Sequence, residues 1–185
     1  MKFHALGLAC LLSLAPVGAF AQDSDLSRYS CDHFLLGACL RVPNGMSTTY
    51  SMPADYGLHV VTRGDRSVLT LYEGDAPQRP HADASSTLSL TTSGYRLFGF
   101  LTNDEGGVRY DVYVDTDRTG VMSVHLRGVV ADEAQRKDLA AALGGFRMCT
   151  FKRSSRDQIL TCPRRAVWGQ QLAQWVQTTP DVKAR

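Results

Sequence analysis

Asn103-Asp104-Glu105-Gly106-Gly107, followed by Val108-Arg109-Tyr110-Asp111-Val112-Tyr113-Val114, decides the fold class. The first five residues favour a reversal, with two glycines for the backbone angles a tight turn needs. The next seven alternate, so that Val108, Tyr110, Val112 and Val114 line one face of a strand. A strand entered through so short a turn lies antiparallel to its predecessor, because parallel neighbours need a crossover of about a dozen residues or more.

The same grammar extends in both directions. Upstream, Tyr95 to Thr102 and Thr87 to Thr92 read as strands joined at Ser93-Gly94. Gly74 to Ser86, with Pro77 and Pro80, reads as a long loop. Before it, a strand begins at Tyr56 and turns at Arg63-Gly64-Asp65-Arg66 into a second at Ser67 to Glu73. Downstream, Asp115 to Gly120 turns the chain into Val121 to Arg127. About six strands in up-and-down order predict a meandering antiparallel sheet.

The pattern then changes period. Asp132 followed by Gln135 is a capping-box pair, and Leu139, Leu143 and Phe146 recur at helical spacing before Gly144-Gly145, predicting a helix over 132–143. A second helix opens after Pro163, with Val167, Trp168, Leu172, Trp175 and Val176 opposite Gln170, Gln171, Gln174 and Gln177. The expected class is α+β, with both helices packed on one face of the sheet near the C-terminus.

Residues 1–21 read as an export signal: Lys2, an apolar run from Ala5 to Val17, and small residues at Ala19 and Ala21 before the cut. Periplasmic or secreted localisation is expected, with one globular domain over 22–178 and a flexible tail over 179–185. The mature chain of about 164 residues is long enough for a real core. Cys10 leaves with the signal; a lipid anchor there is the competing reading, but the charged and apolar regions before it are short.

Four cysteines then remain in an oxidising compartment, which predicts two disulfides. Cys149 and Cys162 flank a polar turn between two strand-like runs, and antiparallel register about that turn sets them face to face beside Phe151 and Leu160. That leaves Cys31 with Cys39. If 25–40 were one helix, residues eight apart would be separated by about 12 Å along its axis, so this pairing asks for a looped turn, and crossed pairing stays open. A zinc site is the other use of four cysteines, but neither pair has close C-x₂₋₄-C spacing.

Charge excludes some partners. Twenty Lys and Arg stand against 18 Asp and Glu, a balance that lacks the clustered basic charge of nucleic-acid binders. No run in the mature chain approaches the roughly 20 apolar residues of a membrane span. Arg147, Lys152, Arg153, Arg156, Arg164 and Arg165 make the C-terminal hairpin locally basic, a solvated face or a dock for an acidic surface.

No segment carries a catalytic signature. Asp115-Thr116-Asp117-Arg118-Thr119-Gly120 opens like a calcium loop, but Leu126 stands where a bidentate Glu is required and the flanks read as strands. No serine sits in a G-x-S-x-G elbow. Asp111 and Asp115 on one strand face would be about 13 Å apart, too far for a sugar-hydrolysing pair. His59, alternating with Leu58 and Val60, is expected to face solvent or a neighbouring strand. His125 shares a face with Val121 and Ser123.

These readings predict no enzyme, no metal and no cofactor. They predict a protein-binding module, by analogy of size, export and bridging with periplasmic inhibitors and immunity proteins. It would occlude the cleft of another envelope or incoming protein, a toxin or hydrolase, through Asp75, Gln78, Arg79 and His81 of the long loop or through Asn103, Asp104 and Glu105 of the turn. The rivals are an enzyme whose groups converge only in three dimensions, around His59, His125 and Asp111, and an envelope assembly factor.

Overall fold

The computed structural model describes residues 31, 33–34, 38–75, 77, 86–92, 95–116, 123–153, 158–162 and 167–179. The expected export signal, most of the expected long loop with Gln78, Arg79 and His81, residues 117–122 and residues 180–185 lie outside them. In chain order the strands are β1 (His33–Phe34), β2 (Ala38–Leu40), β3 (Ser47–Ser51), β4 (Gly57–Arg63), β5 (Arg66–Gly74), β6 (Leu88–Thr92), β7 (Tyr95–Asp104), β8 (Gly107–Thr116) and β9 (Ser123–Val130). Helix α1 (Glu133–Gly144), strands β10 (Phe146–Met148), β11 (Thr150–Arg153) and β12 (Gln158–Thr161), and helix α2 (Val167–Thr178) follow.

Seven strands form one antiparallel sheet in the order β3-β4-β5-β9-β8-β7-β6. The class is the expected α+β, but the sheet is not a single meander. After β5 the chain passes to the far edge, and β6 to β9 return strand by strand until β9 lies against β5. Strand β3 joins the near edge. A second, three-stranded sheet (β1-β2-β10) and the β11–β12 hairpin complete the strands.

Alternation along the sheet produces two faces. Val61, Leu69, Leu71, Leu126, Val112 and Leu97 are buried on the face that receives both helices. Glycine permits the close approach: a Cβ at Gly128 would lie 2.4 Å from Leu139 of α1, and one at Gly99 would lie 2.9 Å from the Trp175 ring of α2. Asp132 caps α1, its Oδ1 accepting from the Gln135 backbone N–H at 2.8 Å, while Gln135 Oε1 accepts from Ala131 N–H at 3.0 Å. In α2, Trp168, Leu172, Trp175 and Val176 are buried and the four glutamines exposed, as the stripe predicts. Phe146, the expected start of the first strand-like run about the cysteine turn, begins β10.

Arg136 of α1 fastens the end of α2. Its buried Nη1 donates to Val176 O, Thr179 O and the Tyr110 hydroxyl at 2.9–3.0 Å, placing positive charge where helix carbonyls are unpaired. No helix among the described residues is long and apolar enough to cross a membrane.

Both bridges form with local pairing, Cys31–Cys39 and Cys149–Cys162. The first spans a strand–turn–strand, since His33 pairs with Leu40 and Phe34 with Cys39. The second follows the predicted register, with Phe151 opposite Leu160. The four half-cystines form one buried cluster, in which the sulfurs of Cys31, Cys39 and Cys162 lie within 4.8 Å of one another.

Candidate functional site

The sheet face turned away from the helices is not uniformly polar. Register places Leu58, Tyr72, His125, Tyr113 and Phe98 in one row across β4, β5, β9, β8 and β7. The next row holds Val60, Thr70, Arg127, Asp111 and Phe100. Where β8 meets β9, five polar side chains converge.

Asp111 is the centre. Its Oδ1 accepts from His125 Nε2 and from Arg127 Nε, both at 2.8 Å, and its Oδ2 accepts from Arg109 Nε at 2.9 Å. Arg109 reaches on to the turn, where Nη1 donates to Asp104 Oδ2 at 3.2 Å. The His125 ring stacks on Tyr113 with centroids 4.2 Å apart, and Phe100 meets Tyr113 edge-on at 5.8 Å. Asp111, His125 and Tyr113 are all buried.

Burial alone would raise the pKa of Asp111, but the hydrogen bonds from His125, Arg127 and Arg109, with the Arg127 charge, outweigh it and hold the group at about 2. The carboxylate is therefore ionised and accepts the Nε2–H of His125. Burial, then the negative charge of Asp111, pushes the Tyr113 phenol up. Arg127 is pushed up as well, the bond to Asp111 outweighing burial.

His59 lies elsewhere. Buried to 6% exposure on the helix side of the sheet, its Nε2 is 3.5 Å from Glu73 Oε2, and the Tyr50 ring lies 4.5 Å from its own. Of the two positions expected for His59, solvent or a neighbouring strand, the structure shows the second: it lies against Tyr50 of β3 and Glu73 of β5, on the covered face that it shares with Val61. Among the described residues, neither ring nitrogen of His59 has a hydrogen-bond partner. The structure unites His125 with Asp111 and leaves His59 on the opposite face.

Of the residues expected to meet a partner, Asp75, Asn103, Asp104 and Glu105 are exposed. Gln78, Arg79 and His81 lie outside the described residues. The turn is tighter than expected: Asp104 pairs with Gly107, so only Glu105 and Gly106 form the loop. Gly107 has φ +129, a conformation suited to glycine. Arg147, counted in the basic hairpin, is instead buried, its Nη1 donating to Gly145 O at 2.8 Å.

Sequence reasoning named Asp111 and His125 but missed Arg109, Arg127 and Tyr113. The signal was available in the β8–β9 register, which sets Asp111 opposite Arg127 and Tyr113 opposite His125. Comparison with protein families, curated proteins and solved structures finds no match to this chain.

Proposed function

We propose that the protein is an exported, non-catalytic binding module that blocks the cleft of another protein, in the manner of an inhibitor or an immunity protein. The observation that carries this reading is the braced acidic tip between β7 and β8. Asp104 and Glu105 stand exposed at the end of two ten-residue strands. Asp104 is held on both oxygens, Oδ1 accepting from the Glu105 backbone N–H at 2.8 Å and Oδ2 from Arg109. A probe ordered before binding loses less entropy on docking. Its negative charge suits a basic cleft and steers the encounter.

Two disulfides and a core that spans sheet and helices suit a rigid scaffold in an oxidising space. The partner class remains a toxin or hydrolase of the envelope or one arriving there, and Asp75 with the long loop is the second contact candidate. The test is capture from periplasmic extract with the full mature chain. Asp104→Lys with Glu105→Lys is expected to abolish capture, and deletion of 77–83 asks the same of the loop. Undiminished capture by both variants would remove these surfaces from the reading.

The enzyme reading has one observation in its favour, the 2.8 Å contact between Asp111 and His125. Asp111 also serves two guanidiniums, however, so its charge is not reserved for an imidazolium as in an acid–base dyad.

A further inference from the structure

We propose that the sheet face turned away from the helices holds a binding site for a sugar acid, its carboxylate taken by Arg127 and a hydroxyl by His125. The site is distinct from the acidic tip, and its test does not depend on the inhibitor reading.

The cluster is a costly way to stabilise a sheet. Taking the Asp111 carboxylate out of water is unfavourable, and apolar residues of similar volume often serve stability as well or better. Buried charge of this kind marks a candidate ligand site more than a structural prop. The other face of the same strands shows the apolar solution, with Val112, Val114, Val124 and Leu126.

Hydrogen-bond accounting shows what is unspent. Asp111 is satisfied through Arg127 Nε, Arg109 Nε and His125 Nε2. Arg109 spends a further donor on Asp104, whereas Arg127, with its side chain 40% exposed, bonds only Asp111 among the described residues. A guanidinium carries five N–H donors, so Arg127 retains a planar edge suited to a carboxylate. Around Asp111 one carboxylate faces two guanidiniums; Asp104 offsets Arg109 at the solvent edge, where water screens it. The inner surplus of one positive charge matches a monoanion better than a phosphate dianion.

His125 adds the second requirement. Its Nε2 donates to Asp111, and no bond from a described residue occupies Nδ1. A ring nitrogen with an unspent hydrogen bond beside a cation suits a ligand with both a carboxylate and a hydroxyl, which can donate or accept. Tyr72 and Phe98, half-buried and flanking His125 and Tyr113 in the same row, supply flat apolar surface for the C–H face of a sugar ring.

The experiment titrates the mature protein with glucuronate, glucose and benzoate, followed by NMR of the His125 ring and by calorimetry. Glucuronate is expected to shift the His125 signals and to bind at least about tenfold more tightly than either control, since each lacks one of two charge-assisted or buried bonds. Arg127→Lys keeps the charge and loses the fork, and is expected to weaken glucuronate by about tenfold. Glucose or benzoate binding as well as glucuronate, glucuronate binding unchanged in Arg127→Lys, or no response to glucuronate would each overturn the proposal. The three-probe comparison uses the unaltered protein, so it decides even if the variant fails to fold.

Discussion

Asp104 and Asp111 share one guanidinium: Arg109 donates Nη1 to the first at 3.2 Å and Nε to the second at 2.9 Å. The exposed tip of the β7–β8 hairpin is thereby tied to the buried Asp111 on the sheet face turned away from the helices. Replacing Arg109 with Ala is expected to release Asp104, visible as faster amide exchange at Glu105 and Gly106, with the strands themselves still protected. Unchanged exchange at the tip would show that the turn backbone alone holds it.

Asp111 makes stability depend on acid. Its folded pKa, about 2, lies below the ordinary aspartate value of 3.8, so the contribution is complete above that value and is lost as pH falls from about 4 through about 2. The size is roughly 2 kcal/mol. Urea midpoints measured across this window should fall in the native protein. Asp111→Asn should be less stable at pH 7 and flatter below pH 4.

The two sheet glycines beneath the helices should not tolerate a methyl group. Gly99→Ala presses on Trp175 and Gly128→Ala on Leu139, and each is expected to cost about 1 to 3 kcal/mol in denaturant unfolding. Gly64→Ala, with open space around its Cβ but φ +58, isolates backbone strain from crowding and should cost about 1 kcal/mol.

Arg136→Ala removes the donor that holds Val176 O and Thr179 O. A loss of roughly 3 kcal/mol is expected, because the helix-end carbonyls and the Tyr110 hydroxyl lose a charged partner. Both tryptophans lie on α2, so intrinsic fluorescence should report loosening there before far-ultraviolet circular dichroism reports loss of the sheet.

Much of the fold was legible because local signals agreed with one another. The 63–66 turn, the capping pair Asp132 and Gln135, the α2 stripe and the register of the cysteine hairpin each specify a neighbour close in sequence. Strand β3 was not legible: Ser47-Thr48-Thr49-Tyr50-Ser51 lies at a sheet edge, mostly exposed, and has no apolar alternation to reveal it. The return of β9 to β5 was also hidden, because periodicity defines strands and short turns define adjacent ones, but neither ranks partners across a long connection. His59 shows a third limit. Period two separates the faces of a strand without saying which is covered, and both faces of this sheet are largely filled. The site was half visible for the same reason, since Asp111 and His125 stood out as titratable groups while their arginine partners read as ordinary surface charge.

Local pairing of the cystines divides the covalent reinforcement unevenly. Each sulfur link closes only its own short segment, eight and thirteen residues apart in sequence, and none crosses the large sheet between Cys39 and Cys149. A single protease cut inside either segment would therefore release no fragment until a reductant was added. One cut in the connection after β5 would instead leave two pieces joined only by noncovalent contacts, the β5–β9 and β2–β10 pairings and the shared core among them, separable by urea without any reductant.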